Sequence, residues 1–219
     1  DFFKAVHYLK ELQIINAEYW LNNQLKQGKK VLAEGAQGSM LDIDFGTYPF
    51  VTSSNTISAG VCNGLGVAPT KIKDIFGITK AYCTRVGSGP FPTELMDATG
   101  ELLRSTGNEF GATTGRPRRC GWIDLVALNF ACMINGVTRI VMTKADVLDA
   151  FQDLQVCTSY QIHGKETKEV PFQMDRSKPE PVYQSFKGWN TDTSAIRTYA
   201  ELPGSMKTYV DFINQYLGV

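Results

Sequence analysis

The densest group of ligand-binding residue types is a nine-residue run of glycines, threonines and arginines at residues 111–119, which we call the arginine loop. Gly111 and Gly115 free the backbone to approach a ligand, and the threonine hydroxyls can donate hydrogen bonds. Its three arginines offer forked guanidinium groups that match a carboxylate or a phosphate. We interpret the run as a substrate loop. Because charged runs usually face water, a solvated basic turn is the alternative on these residues alone.

A second group of candidate residues follows a short apolar run, residues 139–142, that predicts a buried strand. At its carboxyl end stands Thr143-Lys144-Ala145-Asp146, a partial match to the N-K-x-D motif of guanine-nucleotide proteins. In that motif the carboxylate accepts hydrogen bonds from guanine N1–H and N2–H₂, and the lysine stem covers the base. Adenine lacks those donors and would leave the carboxylate unpaired, and this energetic cost disfavours adenine. The match predicts a guanine-binding turn at residues 143–146.

Two further polar groups follow predicted structural elements. Gln37 comes just after Val31-Leu32-Ala33, a predicted buried strand, and could bond a base or a sugar there. A glutamine that satisfies loop backbone is the equal alternative. Asp42 and Asp44 are alternating carboxylates beside a turn, and we expect them to bond backbone or to bind nothing rather than to act as acid and base.

The composition limits the classes of protein and partner. The chain has 219 residues, 43% of them apolar and 20% charged, as in a globular domain. Lysine and arginine total 22 and aspartate and glutamate total 22, so no net field favours nucleic acid or a membrane, and we expect neither as a partner. The five cysteines contain no C-x-x-C pair, which argues against a zinc site and a disulfide framework and indicates a cytoplasmic protein.

Hydrophobic periodicity and turn residues predict an α/β fold, a largely parallel sheet flanked by helices. Besides the strands at 31–33 and 139–142, the predicted elements are helices at 2–27, from a cap at Ser54 or Asn55 toward Gly64, at 94–106, 122–135 and 203–217, and a strand at 75–86. Gly28 and Gly136 stand where left-handed helix caps are preferred. Residues 153–189 predict three strands, at 154–162, 167–172 and 182–186, that form a small antiparallel appendage within one domain of residues 1–219.

Five motifs occur in order along the chain: Glu34-Gly35-Ala36-Gln37-Gly38; Gly46-Thr47-Tyr48-Pro49 with Val51-Thr52-Ser53-Ser54-Asn55-Thr56; Thr84-Arg85-Val86-Gly87 with Gly89-Pro90-Phe91-Pro92-Thr93-Glu94; Gly107-Asn108-Glu109-Phe110 with the arginine loop up to Arg116; and Thr143-Lys144-Ala145-Asp146. Together they resemble the adenylosuccinate synthetases, which join aspartate to inosine monophosphate (IMP) at the expense of GTP. The resemblance covers essentially the whole chain and implies a P-loop-NTPase-like synthetase fold, here truncated.

The resemblance also implies a role for each matching residue. Residues implied to contact IMP are Gln37, Thr52 and Arg116; those for aspartate are Val86, Ala112, Thr113, Thr114, Arg116 and Arg118; those for GTP are Arg118, Lys144 and Asp146. In the family GTP phosphorylates the purine 6-oxygen, and the aspartate amine then displaces phosphate. Mg²⁺ clamps the phosphates, as phosphoryl transfer usually requires.

The chain departs from the family pattern in one important respect. It contains no G-x-x-x-x-G-K-[ST] sequence, and the family's phosphate loop, with its catalytic aspartate and lysine and the histidine that follows, has no counterpart here. We therefore expect no catalytic residue and no Mg²⁺ ligand in these 219 residues, which are expected to be an inactive piece of a larger, homodimeric synthetase. The alternative is a guanine-nucleotide-binding regulatory module whose only site is Lys144 and Asp146.

Overall fold

The computed structural model describes residues 1–113 and 115–219. Within them the α-helices are α1 (Phe2–Glu11), α2 (Ala17–Lys26), α3 (Ala59–Leu65), α4 (Ala98–Thr106), α5 (Leu125–Asn135), α6 (Met174–Ser177) and α7 (Gly204–Leu217). The strands are β1 (Phe76–Lys80), β2 (Cys83–Arg85), β3 (Arg119–Gly121), β4 (Ile123–Asp124), β5 (Arg139–Thr143), β6 (Asp153–Ile162), β7 (Lys165–Thr167) and β8 (Glu180–Lys187). None of these helices combines the length and the apolar character needed to cross a bilayer.

The strands form parallel and antiparallel groups, and the predicted α/β class is confirmed. β1 pairs in parallel with β5, with Phe76 opposite Arg139 and Lys80 opposite Thr143. β2 and β3 are antiparallel. β6 pairs in parallel with β4 and antiparallel with β7 and β8, and β8 lies on the side of β6 opposite β4 and β7. The carboxyl end of β5 therefore lies beside the end of β1, where the predicted guanine-binding turn begins.

The hydrophobic core lies between the sheets and α7. Its fully buried members include Leu125, Leu148 and Leu154, and Tyr209 on α7 is buried with them. Burying a side chain of this size contributes about 1.5–3 kcal/mol. The Tyr209 hydroxyl also donates to the carbonyl of Ala81 at 2.9 Å. The core thus fixes the chain just after β1 and the chain just after β5, the two segments that carry site residues.

The predicted C-terminal cap of α5 is confirmed, and the starts of α5 and α7 differ from the prediction. α5 ends at Gly136, whose φ of 63° is the left-handed conformation that glycine favours. α5 begins at Leu125 rather than at residue 122, because Asp124 caps it by accepting a hydrogen bond from the Ala127 N–H at 3.0 Å. Pro203, predicted to begin the last helix, is instead its N-cap, and α7 begins one residue later at Gly204.

The single predicted helix at 2–27 is wrong in its length. Two helices occupy it, and Asn16 is the N-cap of the second. Ile14 and Ile15 precede that cap, and β-branched side chains are stiff in a helix, which favours a break there. Gly28 follows α2 with φ 77°, so the predicted left-handed position is present.

Two predicted strands and one predicted cap also differ from the structure. Residues 31–33 form no strand and have no pairing partner among the described residues, and Leu32 is 90% exposed. The predicted strand at 75–86 is divided into β1 and β2 because the intervening Ala81 and Tyr82 are buried in the core. Ser58, rather than Ser54 or Asn55, precedes α3, since the Asn55 amide donates to Asp44 instead.

The segment 153–189 is antiparallel around β6, with one error in the prediction. The strand expected at 167–172 is only the end of β7, and the chain then turns into α6. Pro171 lacks the N–H that a strand ladder needs, which is consistent with the early end of β7.

Candidate functional site

The arginine loop is a closed, hairpin-like turn between α4 and β3. Phe110 faces Pro117 in an antiparallel bridge, and the Gly111 N–H donates to the Arg116 carbonyl at 2.9 Å. Ala112 and Thr113 are exposed at its tip, whereas Thr114 lies outside the described residues. The backbone bonds close the base of the loop, and the exposed Thr113 hydroxyl can reach a ligand.

The arginines of this loop have different environments. Arg119 donates from Nε to Glu94 at 2.7 Å and from Nη1 to the carbonyls of Gly87 and Gly89 at 3.2 and 2.9 Å. It therefore anchors the turn that follows β2 and is not a free ligand donor. Arg118 is partly buried and Arg116 is exposed. The solvated basic turn that the residue types left open is thus wrong for Arg118 and Arg119.

Arg118 leads to a buried carboxylate that the sequence alone did not single out. Glu109 is fully buried, and its Oε2 accepts from Arg118 Nη1 at 2.7 Å. Its Oε1 accepts from Lys80 Nζ at 2.7 Å and from the Tyr82 hydroxyl at 2.6 Å. Lys144 Nζ lies 3.9 Å from the same oxygen. Glu109 thus brings residues from the arginine loop, β1 and the end of β5 to one point. We call these five residues the Glu109 cluster.

The electrostatics of the Glu109 cluster favour an ionised carboxylate beside a neutral phenol. Burial raises the pKa of Glu109, but hydrogen bonds from Lys80, Tyr82 and Arg118 outweigh it, and the net pKa is below the ordinary value of 4.5. Burial, and then the hydrogen bond to Glu109, raise the pKa of Tyr82. Tyr82 therefore remains a hydrogen-bond donor to a charged acceptor, an arrangement stronger than a neutral pair.

This pKa shift predicts a loss of stability in acid. A carboxyl whose folded pKa is depressed stabilises the fold above its unfolded value, here 4.5, and that contribution is lost as the pH falls through the folded pKa. We expect the free energy of unfolding of the chain to fall below about pH 4.5, and to fall less steeply in Glu109→Gln. Urea unfolding at a series of acidic pH values measures both slopes. Equal slopes would show that Glu109 does not titrate in this way.

Lys144 and Asp146 stand where the sequence predicts them, directly after β5. Lys144 adopts the left-handed conformation with φ 58°, and its ammonium donates to the carbonyl of Gly107. Asp146 is exposed in the 3-10 turn Ala145–Leu148. The next residues, Val147 and Leu148, are buried in the core, so Asp146 projects from a firmly anchored turn.

Asp149 extends this anchoring. Its carboxylate accepts from the Trp189 indole N–H at 2.6 Å and from the Thr193 backbone N–H at 2.7 Å. These bonds attach the chain after β5 to the segment between β8 and α7. The turn at residues 143–146 is therefore held at two points. Lys144 within it bonds the carbonyl of Gly107, and Asp149 anchors the chain that follows it.

The segment that carries Thr52 is organised by Asp42, which is fully buried. As predicted, this carboxylate bonds backbone: it accepts the N–H groups of Asp44 and Phe45 at 2.9 and 3.1 Å, and that of Thr56 at 2.7 Å. Burial raises the pKa of Asp42, but these N–H groups outweigh it and the net pKa is lowered. Asp42 is structural, and it fixes the loop on which Thr52 is half-buried.

Gln37 and Val86 are exposed, and hydrogen bonds join the neighbours of each to the segment that carries Thr52. Gln37 has φ 69°, and the neighbouring Gly38 carbonyl accepts from Thr56 Oγ1 at 2.9 Å, which links it to the Thr52 segment. Val86 is 57% exposed between β2 and the turn that Arg119 holds. Arg85, beside Val86, donates to the Phe50 carbonyl at 3.1 Å, so β2 is joined to the Thr52 segment as well.

The structure therefore connects the segments that carry Gln37, Thr52, Val86, Arg118 and Lys144 through a series of contacts. The links are Thr56 to Gly38, Arg85 to Phe50, Arg119 to Gly87 and Gly89, Arg118 to Glu109, and Glu109 to Lys144. Sequence reasoning missed Glu109 and Lys80. The available signal was the position of Glu109 within a quoted motif, two residues before the arginine loop.

The metal-ligand chemistry of the described residues is limited. No group of three or more histidine, cysteine, aspartate or glutamate residues among residues 1–113 and 115–219 is arranged to hold a metal ion. The cysteines are free, and Cys120, Cys132 and Cys157 are buried. The described candidate residues offer cations, backbone N–H groups and the exposed carboxylate of Asp146, groups that can bind anions and hydrogen-bond donors.

Comparison with known proteins identifies the family. The family model for adenylosuccinate synthetase matches residues 2–219. An adenylosuccinate synthetase from Parabacteroides distasonis is 56% identical over 219 residues, all of this chain and 52% of the relative. One from Cytophaga hutchinsonii is also 56% identical, over all of this chain and 51% of the relative.

The structural comparison gives the same family. The structure of fully ligated adenylosuccinate synthetase from Plasmodium falciparum superposes with a TM-score of 0.91 at 43% identity, and the match covers 94% of this chain and 50% of that one. The chain thus spans about half the length of the relatives it matches. With a family model over nearly every residue and relatives more than half identical along its whole length, the chain belongs to the adenylosuccinate synthetase family.

Proposed function

We propose that this chain forms part of a GTP-dependent ligase that joins L-aspartate to IMP and yields adenylosuccinate, GDP and phosphate, a step of purine biosynthesis. The observation that carries the proposal is the Glu109 cluster. In a member of this family, it places Arg118 of the arginine loop and Lys144 of the guanine-binding turn on one buried carboxylate. An amino acid and a guanine nucleotide held by these two segments would lie side by side.

The roles we propose for the individual residues follow the resemblance. IMP is bound by Gln37, Thr52 and Arg116; aspartate by Val86, Ala112, Thr113, Thr114, Arg116 and Arg118; and GTP by Arg118, Lys144 and Asp146. Two observations support the second and third groups: Ala112 and Thr113 of the arginine loop are exposed, and Asp146 is exposed on an anchored turn. Guanidinium groups at the loop base suit the carboxylates of aspartate, because such bonds are charge-assisted and can be bidentate.

The proposed reaction proceeds in two transfers. N1 of IMP gives up its proton, and the purine 6-oxygen attacks the γ-phosphorus of GTP. The bond from that phosphorus to the β-phosphate oxygen breaks, which yields GDP and 6-phosphoryl-IMP. The amine of aspartate then attacks C6, the C6–O bond breaks with loss of phosphate, and the amine gives up a proton. The residues of this chain bind and orient the three substrates. The groups that move protons, and the ligands of Mg²⁺, are proposed to lie outside these 219 residues.

The setting of the enzyme is also a proposal. We propose a cytoplasmic homodimer that requires Mg²⁺. Free cysteines support a reducing compartment, where thiols persist. Balanced charge, with 22 basic and 22 acidic residues, supports small-molecule substrates rather than nucleic acid or a membrane as partners.

The test compares two samples: the protein expressed at the full length of its gene, and the 219-residue chain alone. We expect the full-length protein to form adenylosuccinate when GTP, IMP, aspartate and Mg²⁺ are all present, and to form none when one substrate is omitted. We expect no turnover by the chain alone. Chromatography of the reaction mixture identifies the product.

Calorimetric titration distinguishes the ligase from the alternative, a guanine-nucleotide-binding regulatory module. In the ligase, IMP and aspartate alter the affinity for a guanine nucleotide because the sites adjoin, whereas a regulatory module is indifferent to both. Guanine-nucleotide binding that ignores IMP and aspartate, without adenylosuccinate formation by the full-length protein, would replace the ligase with that module.

A further inference from the structure

The Glu109 carboxylate joins two segments that are far apart in the sequence. Lys144 on the turn after β5 is within 3.9 Å of Oε1, and Arg118 on the arginine loop bonds Oε2 at 2.7 Å. Glu109 is fully buried, so a ligand cannot be its main partner. Its contacts are instead with residues that face the proposed ligands, and this arrangement suggests an indirect role.

We infer that Glu109 is a positioning residue that orients Arg118 and Lys144 together, so that the affinities for aspartate and for GTP both depend on it. The inference rests on the proposed function, which assigns Arg118 and Lys144 to those ligands. Beyond the proposed function, the inference assigns a role to a residue that touches neither ligand, and it couples the arginine loop to the turn at residues 143–146.

The backbone of Arg118 is fixed independently of this carboxylate. Its N–H donates to the Glu109 backbone carbonyl at 2.9 Å, and its carbonyl accepts from Arg104 Nε at 2.8 Å. What the Glu109 side chain adds is the direction of the guanidinium. The bond uses Nη1, and a guanidinium also carries donors on its other nitrogens. Because the group is planar, fixing one nitrogen restricts the directions in which the other N–H groups point.

Lys144 is positioned from the same short stretch of chain. Its ammonium donates to the carbonyl of Gly107 and lies near Oε1 of Glu109, two residues further on. Lys80 shares that oxygen at 2.7 Å. Without the carboxylate, the cations of Lys80, Lys144 and Arg118 would face one another with no central anion, and like charges at this range repel. We expect both segments to shift when the charge is removed.

The test is Glu109→Gln in the protein expressed at the full length of its gene. The glutamine carbonyl can still accept from Lys80 and Tyr82, but its amide cannot accept from Arg118. We expect the KM values for aspartate and GTP to rise about tenfold or more each, equivalent to the loss of one oriented charge-assisted bond. We expect the KM for IMP and the kcat to change by less than about threefold. Glu109→Asp, which keeps the charge on a shorter stem, should give intermediate KM values.

Asp124→Asn is the matched control. Asp124 is also a buried carboxylate that accepts from a tyrosine hydroxyl, that of Tyr160, but its other bond is to the N–H of Ala127 rather than to a cation. This variant changes a buried carboxyl that is hydrogen-bonded to neither Arg118 nor Lys144. We expect it to change thermal stability and leave all three KM values unaltered.

The outcomes separate the inference from the proposed function. If the wild-type protein forms adenylosuccinate but Glu109→Gln lowers only stability or kcat, with both KM values unchanged, Glu109 is merely structural and the inference is wrong. If only one of the two KM values rises, the coupling is wrong. If the wild-type protein forms no adenylosuccinate, the proposed function fails and the inference falls with it. Should Glu109→Gln not fold, the KM values of Glu109→Asp decide.

Discussion

Asp146→Asn is expected to remove most of the preference for GTP over ATP in the protein expressed at full length. The carboxylate would accept from guanine N1–H and N2–H₂, and an asparagine presents an NH₂ group to one of those donors instead. A hydrogen bond to a charged group contributes about 1.5–3 kcal/mol, so the ratio of kcat/KM for GTP to that for ATP should fall about 10- to 100-fold. Initial rates with each nucleotide, at fixed IMP and aspartate, measure this ratio.

A matched variant controls for loss of charge. Asp153 is an exposed carboxylate that pairs with Lys187 at 2.6 Å, away from the turn that carries Asp146. Asp153→Asn should leave the nucleotide preference unchanged. If Asp146→Asn also retains the full preference for GTP, Asp146 does not read the base, and the guanine-binding turn must be sought elsewhere.

Gly188→Ala is expected to destabilise the fold strongly. A Cβ at Gly188 would lie 1.8 Å from the backbone oxygen of Phe151, and the Gly188 N–H already bonds the Gln152 carbonyl at 2.8 Å. The atoms that clash belong to the backbone and cannot rotate away as the end of a side chain can. The end of β8 must therefore move apart from residues 151 and 152, which precede β6. We expect a loss of about 3 kcal/mol or more in the free energy of unfolding, measured by urea denaturation.

Gly204→Ala is the comparison for this substitution. Gly204 begins α7, and no heavy atom lies within 4 Å of the position of an added Cβ. Because alanine is the better helix former, the free energy of unfolding of this variant should equal that of the wild type or exceed it by up to about 1 kcal/mol. Equal stability of Gly188→Ala and Gly204→Ala would contradict the close backbone approach at residue 188.

The sequence predicted those elements whose signals are local. Gly136 stops α5, Pro203 precedes α7, and the apolar run at 139–142 forms β5. Where the outcome depends on a partner, the prediction was wrong. Residues 31–33 have the composition of a buried strand, yet no described strand pairs with them. Apolar character indicates that a segment can be buried, not which surface covers it.

The candidate site was predicted to a similar extent. Arg118 and Lys144 could be named from their residue types and from the family resemblance. Glu109 was not singled out. Apart from its position in a motif beside the arginine loop, one acidic residue has no pattern that distinguishes a buried carboxylate from a solvated one. Its role depends on Lys80 and Tyr82, which are distant in sequence and close only in the folded chain.

The left-handed backbone at Lys144 has a consequence for ligand affinity. An L-residue in this conformation costs about 1–2 kcal/mol relative to a right-handed one, and it persists only where surrounding contacts impose it. Here those contacts are internal: the bond to Gly107, the nearby Glu109 carboxylate and the buried residues that follow. The turn is therefore preorganised by folding, and a nucleotide bound there, as we propose, would lose little affinity to loop ordering.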